Sequence, residues 1–167
     1  MITLCIDIGN TLTKLAIFRN NEMTDFRIID INNFLTVDHL IQDSHVEAAI
    51  ISNVSDLPDA LLKTIGEKVN RWMVLDHQLP LPFENCYETK ETLGKDRLAA
   101  VSGGQYLYPG SDLLIIDAGT AIKYDIINRQ GQYLGGNISP GLQMRFKALN
   151  YYTNHPYRKE STKGMKE

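Results

Sequence analysis

The chain has 167 residues, 43% of them hydrophobic and 22% charged, with a formal net charge of −3. This is the composition of a globular protein of one domain or two small ones. It offers no basic footprint for nucleic acid, no basic tract for a membrane surface and no apolar run long enough to span a bilayer. Cys5 and Cys86 lack C-x-x-C spacing, so neither a zinc site nor a disulfide framework is indicated and a reducing, cytoplasmic setting is expected.

Ile2 to Ile8, Thr13 to Phe18 and Glu22 to Asp30 predict three successive strands, the second turn lying at Asn20-Asn21. From Asn33 to Gln42 the pattern can be helical, and Val46 to Val54 reads as a buried strand ending in the loop Ser52-Asn53-Val54-Ser55. In open α/β sheets such a strand end is where ligands sit. Pro58 precedes an amphipathic helix carrying Leu61, Leu62, Ile65 and Val69, and Trp72 to Leu75 is a further strand. Pro80 and Pro82 open a loop, followed by a helix from about Leu93 to Tyr108. After Pro109-Gly110 the order restarts: strands at Leu113 to Asp117, Ala121 to Ile127 and Gln132 to Ile138, then a helix from Leu142. The repeated β-β-β-α order predicts an α/β protein with mixed sheets, built by internal duplication.

One short text occurs twice. Cys5-Ile6-Asp7-Ile8-Gly9-Asn10-Thr11 and Ile115-Ile116-Asp117-Ala118-Gly119-Thr120 both run an apolar strand into Asp-x-Gly and a hydroxyl residue. Glycine lets backbone approach a ligand closely, and successive N–H groups in such a turn form a concave anion site. Thr11, Thr13 and Thr120 add hydroxyls, Asn10 an amide and Lys14 a positive charge. Carboxylates do not bind phosphate directly, so Asp7 and Asp117 are expected to hold a hydrated Mg²⁺ or another cation beside it. A single unit of this kind would be an ordinary hairpin turn; two with the acid at the same place point to half-sites around one nucleotide phosphate. Asp96-Arg97 at a predicted helix start suits an anion, with Arg97 offering a planar fork for a carboxylate. Alone, that pair would be a solvated surface contact, as Glu88, Lys90, Glu91 and Lys95 are. His39, His45, His77 and His155 are scattered and form no metal pattern.

Four segments taken together resemble the type III pantothenate kinase family: Asp7 to Lys14, Tyr87 with Leu93-Gly94-Lys95-Asp96-Arg97, Asp117 to Thr120, and Gly135 to Gly141. The resemblance covers about residues 1 to 153. It implies an actin-like (ribonuclease H-like) fold of duplicated domains, ATP-dependent phosphorylation of pantothenate as the first step of coenzyme A biosynthesis, and a homodimer. It assigns Asp7, Gly9, Asn10, Thr11, Lys14 and Thr120 to ATP phosphate, with Asp7 near Mg²⁺. Asp96 would be the general base, and Tyr87, Gly94, Lys95 and Arg97 would hold the substrate, Arg97 against its carboxylate. Asp117 would coordinate a monovalent cation, K⁺ or NH₄⁺. Lys90 stands where the family often has proline. The alternative is a non-catalytic actin-like nucleotide-binding or regulatory fragment.

The restart after Pro109-Gly110 and the loss of apolar periodicity from Asn154 divide the chain into a first domain at 1–110, the start of a second at 111–153 and a tail at 154–167 expected to be disordered. Family chains continue for several tens of residues beyond this point. Three strands without their covering helices would leave an apolar face and an unpaired edge. Two explanations compete, dimerisation that covers that face and a shifted frame that begins near Asn154, and the second is expected. On either reading, weak or absent kinase activity is expected.

Overall fold

A computed structural model describes residues 1–9, 12–30, 33–53 and 58–153. Asn10, Thr11, the loop residues Val54 and Ser55, and the segment 154–167 lie outside the described residues.

In β1 (Ile2–Ile8), Ile2, Leu4, Ile6 and Ile8 are buried on one face, as period-two alternation requires. β2 (Leu12–Arg19) pairs antiparallel with β1 and buries Thr13, Leu15 and Ile17 on that same face. It returns through Asn20-Asn21, both with positive φ (47° and 72°), into β3 (Glu22–Asp30). Two consecutive left-handed residues suit the right-handed twist of a hairpin, and Asn tolerates them. α1 (Phe34–Ser44) lays Val37, Leu40 and Ile41 on the buried face, and α2 (Asp59–Lys68) adds Leu61 and Ile65. Each such side chain contributes about 1.5–3 kcal/mol on leaving water. β4 (Ala48–Asn53) and β5 (Arg71–Val74) join in parallel, giving the order β3-β2-β1-β4-β5.

The second sheet has the order β6-β9-β8-β7, with β7 (Leu113–Ala118), β8 (Ala121–Ile127) and β9 (Gln132–Pro140) antiparallel in succession. It repeats β1-β2-β3, and α4 (Leu142–Tyr152) follows as α1 follows β3. β6 (Glu84–Asn85) pairs in parallel with β9 and has no counterpart in the sequence reading, because two residues carry no periodicity. α3 (Lys95–Leu107) starts two residues later than predicted; a 3₁₀ turn at Lys90–Thr92 precedes it, and Leu93 is buried before the helix begins.

The two sheets have separate cores. α1 and α2 cover the first. α3 covers the inner face of the second, where Leu98 and Val101 meet Phe83, Ile127 and Tyr133. Packing therefore groups residues 83–107 with the second sheet, although they precede the expected boundary at 110. Among the described residues the outer face of that sheet is bare: Leu114, Ile116, Ile126 and Leu134 are exposed, and α4 buries no residue. β7 is an edge strand among the described residues, whereas its counterpart β1 has β4 beside it. Among the described residues, the second sheet thus has an apolar outer face and an open edge.

Candidate active site

Strand pairing constructs the two half-sites alike. Asp7 stands directly opposite Lys14 across the first hairpin, and Asp117 opposite Lys123 across the other. The N–H of Gly9 donates to Leu12 O at 3.1 Å, and that of Gly119 to Ala121 O at 3.1 Å, closing the two turns. Lys14 Nζ lies 3.6 Å from Asp7 Oδ2, and both side chains are about half exposed. Lys123 is drawn in further. Its Nζ lies 2.8 Å from Asp117 Oδ2 and also donates to Asp96 Oδ2 on α3. Burial opposes the Lys123 charge, but the hydrogen bonds it donates to Asp117 and Asp96 outweigh this and raise the pKa above the usual lysine value.

Asp96 owes its position to the start of α3. Its Oδ1 accepts the backbone N–H of Arg97 at 2.9 Å, folding back over Gly94. A Cβ on Gly94 would stand 2.6 Å from that oxygen, so only glycine leaves room for it. Lys95 reaches the other way and donates to Asn53 Oδ1 at 3.1 Å, tying the helix start to the end of β4.

Two cavities meet at these residues, and Asp7, Lys14, Asp96 and Asp117 line both. One, of about 540 Å³, is bounded by Gly9, Gly119, Thr120 and Lys123. The other, of about 400 Å³, is walled by Cys5, Ala16, Phe26, Ile50, Ala99 and Ala100 and is mainly apolar. Burial pushes the Cys5 thiol up, which keeps it a neutral wall residue.

Gly141 fastens the second turn. Its N–H donates to Thr120 O at 3.0 Å, and a Cβ there would lie 2.4 Å from that oxygen and 2.5 Å from Gly119 O. Gly141→Ala must push the Gly119-Thr120 turn away, at about 1–3 kcal/mol by the usual scale of overpacking. The expected lower urea midpoint should accompany displaced amide NMR signals for Gly119 and Thr120.

Three expected residues are placed otherwise. Thr13 is buried on the core side with no hydrogen-bond partner for its hydroxyl among the described residues, because alternation along β2 turns it away from the cleft. Arg97 is buried and already holds a carboxylate: Nε lies 2.8 Å and Nη2 2.6 Å from Asp125 Oδ1. Asp125 also accepts the Tyr133 hydroxyl at 2.7 Å. Tyr87 stacks in this cluster, its ring centroid 5.7 Å from the Arg97 guanidinium carbon and 6.2 Å from the Tyr133 ring. Burial opposes the Arg97 charge and Asp125 more than restores it, while burial and then Asp125 raise the Tyr133 phenol far above its normal range. The structure thus brings Asp7, Lys14, Asp96, Asp117 and Thr120 to one cleft and sets Arg97 and Tyr87 in the core beside it. Sequence reasoning missed Lys123, Asp125 and Tyr133. For Lys123 a signal existed, since a lysine follows the Asp-x-Gly acid in both copies.

Duplicated β-β-β-α units whose Asp-x-Gly hairpins face one cleft define an actin-like α/β protein. The type III pantothenate kinase family model matches residues 3–163. The chain belongs to that family. It is 44% identical over 153 residues to the type III pantothenate kinase of Bacteroides fragilis, covering 91% of this chain and 63% of the relative. To that of Phocaeicola vulgatus it is 41% identical, covering 92% and 63%. The chain therefore spans about three fifths of the length of these curated relatives. Among solved structures it matches one assigned to the Baf family of transcriptional activators from Campylobacter jejuni, with a TM-score of 0.58, 24% identity, and 98% and 68% of the two chains covered. An exopolyphosphatase from Cytophaga hutchinsonii matches with a TM-score of 0.54 and 15% identity, over 95% and 56%. These likenesses speak for the fold.

Proposed function

We propose that this cleft transfers the γ-phosphoryl group of ATP to the primary hydroxyl of pantothenate, the first step of coenzyme A biosynthesis. The observation that carries the reading is the Asp96 carboxylate, held where a cavity lined by Lys14 and Lys123 meets a more apolar one. The side that holds Thr120 and Lys123 suits phosphates, with Lys14 and Thr120 as donors. The apolar side suits the two methyl groups beside the pantothenate hydroxyl. Asp96 takes the hydroxyl proton as the phosphoryl group moves. In a loose transition state, positioning and charge neutralisation do most of the work, so a weak base suffices.

No three His, Cys, Asp or Glu side chains among the described residues form a metal cluster. A Mg²⁺ ion here would combine Asp7 with phosphate oxygens and water, the usual way this ion is held. When bound, it neutralises charge on the phosphates. Of the two cations flanking Asp96, Arg97 is engaged with Asp125, while Lys95 has the neutral partner Asn53. Lys95 is therefore the better placed for the acceptor's carboxylate. Tyr87 and Gly94 contribute by holding Arg97 and Asp96. A homodimer belongs to the same reading, and the bare outer face of the second sheet is the surface a second copy would cover. So does a cytoplasmic setting; no helix among the described residues is long and apolar enough to cross a membrane.

The test is ADP formation, coupled to NADH oxidation, with and without pantothenate. Pantothenate-dependent ADP formation is expected, slower than the roughly 1–100 s⁻¹ typical of kinases. The reason is that, among the described residues, the sheet beside Thr120 is covered on one face only. No ADP formation with or without pantothenate at saturating ATP would leave a non-catalytic phosphate-binding protein.

A further inference from the structure

A monovalent metal ion at Asp117, as the family resemblance implies, does not fit the residues present. Asp117 Oδ2 is already 2.8 Å from Lys123 Nζ, and the same ammonium holds Asp96 Oδ2. The Lys123 side chain is 18% exposed, against 54% for Lys14 at the matching place in the first hairpin. The first lysine stands in solvent beside one acid. The second is drawn between carboxylates from two elements, β7 and α3, that have no other covalent or strand link near the cleft.

A lysine ammonium is a single positive charge with three donors and no acceptor. Two donors are taken by Asp117 and Asp96. The third remains for a group in the cavity that Lys123 lines. A metal ion placed on the same carboxylates would sit within a few ångströms of Nζ, where like charges repel. It would also find few oxygens, since both acids already spend an oxygen on the lysine. Without Lys123, Asp96 and Asp117 would face each other across the cleft as unpaired anions, the situation that a bound cation relieves.

We propose that Lys123 is the built-in cation of this site. Its tethered ammonium neutralises the Asp96–Asp117 pair and offers its third N–H to a phosphate oxygen, so the chain needs no monovalent metal ion. The phosphate contact rests on the kinase reading above; the exclusion of the ion does not.

The experiment compares thermal unfolding in KCl and in choline chloride at equal ionic strength, for the unaltered chain, Lys123→Met and Lys123→Gln. The unaltered chain should melt at the same temperature in both salts. The variants should melt lower in choline chloride and recover most of the loss in KCl, as K⁺ enters the vacated place. A K⁺-specific rise in the melting temperature of the unaltered chain overturns the proposal, and it does so even if neither variant folds. Variants that melt alike in the two salts overturn it too. Turnover is read in the same two salts: equal rates for the unaltered chain support the proposal, and a requirement for K⁺ contradicts it. A chain inactive in both salts counts against the kinase reading, while the melting comparison still decides the cation.

Discussion

Asp125→Ala should cost the chain about 3–5 kcal/mol, the usual penalty for leaving one partner of a buried ion pair alone. That is a large part of the 5–15 kcal/mol by which folded domains are ordinarily stable. Asp125 is 1% exposed and accepts from the Arg97 guanidinium and the Tyr133 hydroxyl. Its removal strands a charge on α3 against β8, where the Tyr87 ring is the remaining favourable neighbour. The loss reaches the cleft as well, because Arg97 follows Asp96 at the start of the helix. Urea unfolding followed by circular dichroism measures the effect. The double variant Arg97→Met with Asp125→Leu should recover much of it, since no charge is then buried. Tyr133→Phe, which removes one hydrogen bond, should cost about 1 kcal/mol. A midpoint for Asp125→Ala within error of the unaltered chain would mean that Arg97 reaches another anion or solvent, and would return it to the role of substrate ligand.

The contrast between Asp96 and Asp125 shows which parts of the molecule could be read from the sequence. The hairpins could, because alternation in β1 and β2 and the Asn20-Asn21 turn are local properties. Duplication was legible for the same reason. The same alternation also places Thr13 with Leu15 and Ile17 on the core side, so its burial was available to a stricter reading. The start of α3 was not. Leu93 continues the apolar period, and only the folding back of Asp96 over Gly94 shows where the helix begins. The boundary at 110 followed Pro109-Gly110 and the repeated text. Which sheet α3 covers depends instead on contacts such as Leu98 with Ile127, remote in sequence. Arg97 and Asp125 are 28 residues apart, and no pattern in either segment announces their pairing. Lys123 falls between these cases: its sequence position was readable, but its place between two carboxylates required the fold.

Asp96→Asn should lower pantothenate-dependent turnover by about 10²–10⁴-fold, the usual contribution of a positioned base. The substitution is nearly isosteric. The remaining carbonyl can still accept the Arg97 N–H that now goes to Oδ1, and Lys123 keeps Asp117 as its partner. The amide NH2 cannot accept from Lys123, which is left with Asp117 alone, but the backbone fold of the cleft should stay, and the loss should fall on kcat rather than on KM. Nucleotide binding, measured calorimetrically, should survive or tighten slightly, because the cleft loses one negative charge while Lys14 and Lys123 remain. Asp96→Glu is the sharper companion. The carboxylate is restored, but the longer side chain cannot occupy the space above Gly94, where even a Cβ would lie 2.6 Å from the native oxygen. A displaced base is expected to give turnover between that of the unaltered chain and Asp96→Asn, since misplacement of about 1 Å can itself cost about 10²-fold. Full turnover in Asp96→Asn would remove Asp96 from the chemistry and leave it as the carboxylate that holds Lys123 in place.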